Sequence, residues 1–402
     1  MLRVQKTIYV AMSGGVDSSV AAALLKNLPV LPTGQAGGRQ DGKFNVIGVF
    51  MKPWQPSIHE SQNTNQKFKN VAGNMLHDTC LWKQDREDAL RAATVLNVPL
   101  LTWDFSKEYK KCVTDYMLRE YKAGRTPNPD VMCNKEIKFG LFFKKAMKEG
   151  ADYIATGHYA RIAQVQKLKV HKDSNIIKNK DPKELDKLDE LYKLFTARDS
   201  AKDQTYFLWT LTQKHLAKTL FPIGDYLKPE VRKMAKKFGL PNHDKKDSQG
   251  VCFIGPLNMK NFLKNYIKPK SGKILDLNGK ELGKHDGVYY YTIGQRHGLN
   301  LGLGGGPYFV VAKDIKKNII YAGTEKDLIS AKTKVKNINW IVVEPKFPAE
   351  LLVRTRYRAP LKKAVLYKNG KLIFKQPERA ITSGQSAVFY HGKEMLGGGI
   401  IE

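Results

Sequence analysis

Cysteine is scarce in this chain: four residues in 402, with no CxxC pair and no zinc-type spacing. That excludes a disulfide framework and a cysteine-built zinc site, and leaves any cysteine chemistry to start from free thiols. No apolar run is long enough to span a bilayer, and no signal-type apolar stretch follows Met1-Leu2-Arg3. The expectation is a cytoplasmic protein with no membrane partner. Acidic residues are also few, 38 Asp+Glu against 68 Lys+Arg, a net charge of +30. Such an excess points to a polyanionic partner, nucleic acid before membrane. What the chain does have is 42% hydrophobic residues, with 18 Tyr and 17 Phe, enough for packed cores. Its length suggests two or three domains.

From residue 1 to about 220, strand-like runs (8–12, 45–51, 99–105, 153–157) alternate with helical patterns (85–97, 107–122, 136–149). Such alternation predicts a doubly wound parallel α/β sheet, with ligands at the C-terminal ends of its strands. Polar stretches at 29–43 and 167–191 read as surface insertions, and 53–75 as a candidate lid. A short basic helix is expected over 226–238, ended by Gly239 and Pro241. Beyond about 273 the pattern is β-rich, with Asn-Gly turns at 278–279 and 369–370. We therefore expect a small mixed linking domain over 221–328 and a C-terminal β-barrel-like domain over 329–402.

The first strand runs into Ser13-Gly14-Gly15-Val16-Asp17-Ser18-Ser19, and an Ala/Leu-rich helix follows. Strand, Gly-Gly turn and helix start make a phosphate cradle, in which backbone N–H groups and the helix N-terminus favour an anion. It is neither the Walker A loop nor the dinucleotide fingerprint, and no lysine follows it. Asp17 would repel phosphate unless it holds a bridging Mg²⁺ or caps the helix. The pattern closely resembles the ATP-pyrophosphatase (PP-loop) enzymes, which cleave ATP between its α- and β-phosphates and adenylate an oxygen.

Two cysteines lie in polar loops. Cys133 follows Asn128-Pro129-Asp130, just upstream of the helix expected from about 136 and next to Lys135, where a thiol should be accessible and its pKa depressed. Cys252 lies in DSQGVCF at 247–253. Asp130, three residues before Cys133, could move a proton or form an Asx turn. Gly157 permits close approach to a nucleotide, and His158 could stack on a base. By contrast Cys112, on an amphipathic helix, reads as packing, and His77 with Cys80 are too few for a metal site. Arg354, Arg356 and Arg358 would share one strand face suited to a phosphate backbone, with Tyr357 on the other.

Taken with AMSGGVDSS (11–19), the segments YKAGRTPNPDVMCNKEIKFG (121–140), ADYIATGHYAR (151–161), KDQTYFL (202–208), KKDSQGVCFIG (245–255), TIGQRHGL (292–299), TRYR (355–358) and SGQSAVFY (383–390) resemble the tRNA-specific 2-thiouridylases. The resemblance runs in order over essentially the whole chain. It implies ATP, with Mg²⁺, bound by Ala11, Met12, Ser13, Gly14, Gly15, Val16, Asp17, Ser18, Met51 and Gly157. It implies target-base contacts from Asn128, Pro129 and Asp130, and tRNA contacts from His158, Lys202, Asp203, Gln204, Arg356, Tyr357 and Gln385. It makes Cys252 the persulfide carrier, on a segment (242–255) that returns to the first domain's active site, and Cys133 its disulfide partner. Some relatives are argued to carry an iron–sulfur cluster here, for which Asp130, Cys133 and Cys252 are candidate ligands. The implied partners are the wobble-uridine tRNAs for Lys, Glu and Gln and a cysteine desulfurase or sulfur-relay donor, with the enzyme a monomer. Another PP-loop adenylating enzyme, or a non-catalytic tRNA-binding protein, stays open as an alternative.

Overall fold

The computed structural model describes residues 5–27, 44–55, 81–165, 191–247, 259–299, 301 and 307–402. Cys80, Cys252 and nearly all of the three polar insertions lie outside the described residues. Strands β1 (Thr7–Ala11), β2 (Asn45–Lys52), β3 (Leu100–Asp104) and β4 (Tyr153–Thr156) fall where the apolar runs predict them. β5 (Ala160–Val165) and β6 (Leu191–Thr196) pair antiparallel and leave this layer, while β7 (Thr219–Leu220) returns to it. The resulting sheet is parallel, in the order β3-β2-β1-β4-β7. Four of the five β1 residues are buried, as a central strand covered on both faces requires.

The chain steps outward from β1 to β2 and β3, then crosses back to place β4 on the other flank of β1. That reversal makes the C-terminal edge between β1 and β4 the topological switch point, where such sheets bind ligands. Helix α1 (Val16–Asn27) starts there, with Asp17 in its first turn and Lys26 in its last, both complementing the helix dipole. Helices α2 (Leu81–Val95), α3 (Ser106–Tyr109, Lys110–Thr114 and Asp115–Lys122) and α4 (Pro129–Met132, Cys133–Phe142 and Phe143–Lys148) connect the strands. The middle segments of α3 and α4 are π-helical. Helix α5 (Lys228–Lys237) matches the expected basic helix but packs Val231 and Ala235, with Leu240 beyond it, into the core shared with α1. The first domain therefore does not end at 220: its buried apolar face keeps α5 on the nucleotide-side layer.

In the middle of the chain lie β8 (Gly272–Leu275), β9 (Glu281–His285), β10 (Phe309–Asp314) and β11 (Ile319–Gly323), in the order β10-β11-β8-β9. The last six strands are β12 (Ile329–Trp340), β13 (Ala349–Arg354), β14 (Lys362–Leu366), β15 (Lys371–Arg379), β16 (Ser386–His391) and β17 (Glu394–Ile401). They run β12-β15-β14-β13-β16-β17, and β12 pairs with β17 to close the barrel. Val353, Leu366, Leu372, Phe374, Phe389 and Ile401 fill it. Both Asn-Gly turns form, with Gly279 at φ +89° and Gly370 at φ +81°.

The start of β17 also pairs with β6, so the β5–β6 hairpin of the first domain extends the barrel sheet. The first domain, middle sheet and barrel share one apolar core, which includes Ile154, Phe221, Ile274, Ile320 and Tyr390. No helix among the described residues is long and apolar enough to cross a membrane.

Candidate active site

The candidate phosphate loop, residues 13–18, sits at the switch point. Ser18 Oγ accepts from the Ser13 N–H (3.2 Å) and donates to the Gly15 carbonyl (3.0 Å), which closes the turn from inside. Gly14 has φ +77°, and a Cβ there would run into the Asp85 carbonyl. Gly157, directly after β4, approaches the start of α1 so closely that a Cβ would lie 2.7 Å from the Ser18 amide nitrogen. Neither position tolerates a side chain without moving the cradle. Ala11, Met12, Val16 and Met51 are buried, so their side chains are packing groups and only their backbones can face a nucleotide.

Asp17 does not stand as a bare negative charge beside the anion site. Its Oδ1 accepts from Lys228 Nζ at 2.7 Å and from the Tyr159 hydroxyl at 3.0 Å. Burial, and then the Asp17 carboxylate, push the Tyr159 phenol far above its usual range, so it stays a donor. Lys228 also reaches Asp247 (2.9 Å), which takes Lys202 (2.6 Å) and Arg232 (3.0 Å) as well. Burial raises the Asp247 carboxyl, but the hydrogen bonds from Lys202 and Lys228 outweigh it and hold the group at about 2. A few residues along, Asn242 donates to the Gly14 carbonyl and to Ser19 Oγ (3.0 Å each), and Lys245 bridges the Gly14 carbonyl to Asp85 and Asp88. The cation missing after the glycines is thus supplied from more than two hundred residues away.

The second candidate loop precedes α4. Asn128 is the N-cap, its side chain accepting from the Val131 amide at 3.2 Å, and Pro129 occupies the first turn. The helix therefore begins at Pro129, well before the expected 136, because cap and proline together start it. Cys133 consequently lies inside the helix and is fully buried, not on an accessible loop. Asp130 is half-buried in the same first turn, and its carbonyl accepts from Asn134 Nδ2 at 3.0 Å. Asn134 is buried with its Oδ1 unpartnered, one residue from the thiol. Cys112 is free, and burial pushes its thiol up, in keeping with a packing role.

The residues expected to hold RNA all have partners within the protein. Asp203 is buried and paired to Arg354 at 3.1 Å, and it accepts from Thr205 and the Ala197 amide, so it faces the protein interior. His158 is buried between Phe139 and Phe221, with Nδ1 2.7 Å from Thr156 Oγ1 and Nε2 3.4 Å from Lys138 Nζ. A lysine only donates, so Nε2 is the acceptor and the proton sits on Nδ1. Burial, and then Lys138, hold this imidazole neutral, well below its usual pKa, and it does not stack on an exposed base. Gln204 accepts from the Tyr159 amide (2.9 Å), and Lys202 is held by Asp247.

The expected arginine row does not form. β13 ends at Arg354, and Arg358 has φ +63°, so alternation stops where the chain bends. Arg354 turns inward to Asp203, Arg356 donates to Thr382 Oγ1 and the carbonyls of Ile293 and Ala380, and Arg358 lies over the Tyr357 ring. Tyr357 packs on Phe207 at 4.5 Å, and Gln385 is spent on the Thr126 and Pro127 carbonyls.

Sequence reasoning missed Lys228, Asn242, Arg232 and the structural part of Tyr159. Lys245 and Asp247 lay inside a recognised segment, but nothing local tells that they reach the phosphate loop. Among the described residues, no three His, Cys, Asp or Glu side chains gather to hold a metal ion. The proposed cluster ligands Asp130 and Cys133 are described, whereas their partner Cys252 is not.

Sequence profiles described as tRNA methyl transferase HUP domain, tRNA methyl transferase PRC-barrel domain and aminomethyltransferase β-barrel domain match residues 6–256, 260–324 and 330–401. The tRNA-specific 2-thiouridylase MnmA 2 of Geobacillus kaustophilus is 41% identical over 403 residues, covering 98% of this chain and 94% of the relative. The tRNA-specific 2-thiouridylase MnmA of Geobacillus thermodenitrificans is 42% identical with the same coverage. With a Gly-Gly loop at the switch point, a cysteine in the helix that leads into β4 and near full-length identity of this order, the chain belongs to the tRNA-specific 2-thiouridylase family.

Proposed function

We propose that this protein is an ATP-dependent sulfurtransferase that replaces the C2 oxygen of a tRNA wobble uridine with sulfur. The observation that carries this reading is the near full-length identity to 2-thiouridylases, and the phosphate loop at the switch point supports it. The C2 oxygen is a poor leaving group, so it first attacks the α-phosphorus of ATP and expels pyrophosphate. The loop at 13–18 receives the phosphates with its backbone N–H groups, and Lys228 offsets the charge of Asp17 beside them. Mg²⁺ accompanies ATP and supplies further charge neutralisation. Asn128, Pro129 and Asp130 hold the base at the start of α4.

Cys252, charged as a persulfide by a cysteine desulfurase or relay protein, attacks C2 with its terminal sulfur, and AMP leaves. Cys133 then attacks the Cys252 sulfur, which breaks the sulfur–sulfur bond, releases 2-thiouridine and forms a Cys133–Cys252 disulfide. An external thiol reductant supplies two electrons to restore both thiols. Cys133 is buried, so in this scheme the Cys252 sulfur must gain access to its turn of α4.

The test is nucleoside mass spectrometry on tRNA incubated with enzyme, ATP and a sulfur source. The wild type makes 2-thiouridine, and Cys252→Ser and Cys133→Ser each abolish it with tRNA affinity intact. Normal 2-thiouridine from Cys252→Ser would remove the persulfide step. Anaerobic purification with iron analysis and an absorption spectrum decides between this scheme and a cluster held by Asp130, Cys133 and Cys252.

A further inference from the structure

Two segments far from it in sequence, a strap of the barrel and Thr292 of the middle region, meet at the loop that leads into the Cys133 helix. From the barrel, Gln385 Nε2 donates to the Thr126 carbonyl at 2.9 Å and the Pro127 carbonyl at 3.1 Å, and the Thr126 amide donates to the Ser383 carbonyl at 2.9 Å. From the middle sheet region, Thr292 Oγ1 lies 3.2 Å from Thr126 Oγ1. The barrel strap itself is fixed: the Gln385 amide donates to the Thr382 carbonyl, and the Gln385 carbonyl accepts from the Ile401 amide. Arg356 locks it from outside, with Nη2 on Thr382 Oγ1 at 2.6 Å, the Ala380 carbonyl at 3.0 Å and the Ile293 carbonyl at 2.8 Å. Gly384, at φ +91°, lies so close that a Cβ would stand 2.8 Å from the Thr126 carbonyl oxygen.

Both N–H groups of the Gln385 amide are therefore used up on one loop, and that loop ends at the N-cap Asn128, five residues before Cys133. We infer that Gln385 is a positioning residue: it holds the loop before the first turn of the Cys133 helix against the barrel, so the barrel sets the geometry of that loop. The inference rests on the proposed sulfur transfer for what the loop does, but not for what holds it.

The test uses the full-length enzyme with Gln385→Ala and, separately, Gly384→Ala, which displaces the same loop by steric contact without touching the glutamine. Each variant is expected to lose roughly 10–100-fold in kcat for thiolation, the cost of a small misplacement at the reacting groups. The Kd for tRNA and its salt dependence should stay within about twofold. Alkylation of Cys133 by iodoacetamide under native conditions, read by peptide mass spectrometry, should speed up roughly tenfold in both, because the loop before its helix has lost its two hydrogen bonds in Gln385→Ala and is pushed away by the added methyl in Gly384→Ala. This arm needs no activity, so a wild type without thiolation would sink the proposed function and leave the positioning role still decided. A rise in tRNA Kd with unchanged kcat and alkylation rate would overturn the inference in favour of RNA contact. Wild-type kcat and alkylation in both variants would overturn it as well.

Discussion

Removing Asp203 tests whether the Lys202-Asp203-Gln204 segment is an RNA-binding edge or a structural joint. The Asp203 side chain is 2% exposed and that of Arg354 14%, and the pair joins the first domain to the barrel. Asp203→Ala strands the Arg354 guanidinium, whose Nε already has no hydrogen-bond partner. It also strips acceptors from Thr205 and the Ala197 amide. Breaking one side of a buried pair costs roughly 3–5 kcal/mol, because the remaining charge is left uncompensated. For a cooperative unit of some 150–250 residues that corresponds to a fall in Tm of roughly 6–20 °C. The assay is a thermal melt beside a tRNA filter-binding titration well below the transition. Replacing both partners, Asp203→Leu with Arg354→Met, should recover most of the loss, since an apolar pair of similar volume is often neutral or better. A single variant that melts within about 1 °C of wild type and yet loses tRNA affinity would refute the structural reading.

Three further outcomes follow from the same geometry. Gly157→Ala puts a methyl 2.7 Å from the Ser18 amide nitrogen, so ATP affinity measured by calorimetry should fall while the far-UV spectrum is unchanged; wild-type affinity would place the nucleotide elsewhere. Lys228→Met leaves Asp17 without its cation, and one unscreened charge at about 6 Å in a dielectric of about 40 is roughly 1.4 kcal/mol, a tenfold loss of ATP affinity. Asp17→Asn in that background should restore much of it, and failure to do so would show that Lys228 acts other than through Asp17. Finally, the folded state holds His158 neutral, so as pH falls below about 6.5 the unfolded chain takes up a proton first and stability is lost. His215 and His285, also shifted down by burial, contribute in the same window. His158→Gln should flatten the slope of stability against pH between 6.5 and 5 by up to about 1.4 kcal/mol per unit, and a superimposable profile would mean that His158 titrates normally.

The parts of the fold and site that were legible are those whose cause is local. Gly14 is required by a positive φ, Asn128-Pro129 by the needs of a helix N-terminus, and the strands by short apolar runs bounded by turns. The alternation of strand and helix through the first half led directly to the parallel sheet, and the Asn-Gly turns to hairpins. What was not legible depends on partners distant in sequence. Asp203 and Arg354 are 151 residues apart, Lys228 and Asp17 211, and Gln385 and Thr126 259. Each looks like a solvated polar residue until the fold supplies the other member.

The arginines at 354, 356 and 358 make the same point more sharply. Their spacing matches the two-residue strand period, but the period holds only while the strand does, and β13 stops at Arg354. A basic chain thus spends part of its excess charge internally: Arg354 and Arg356 as joints between segments, Lys228 and Lys245 as supports under the phosphate loop. The +30 surplus still favours an anionic partner, but Arg354, Arg356 and Gln385 are engaged within the protein, whereas Arg358 is exposed. We predict that exposed cations, Arg358 and the surface lysines, carry the phosphate contacts: neutralising them should lower the salt dependence of tRNA binding, whereas substituting Arg356 or Gln385 should change the chemistry and leave that slope alone.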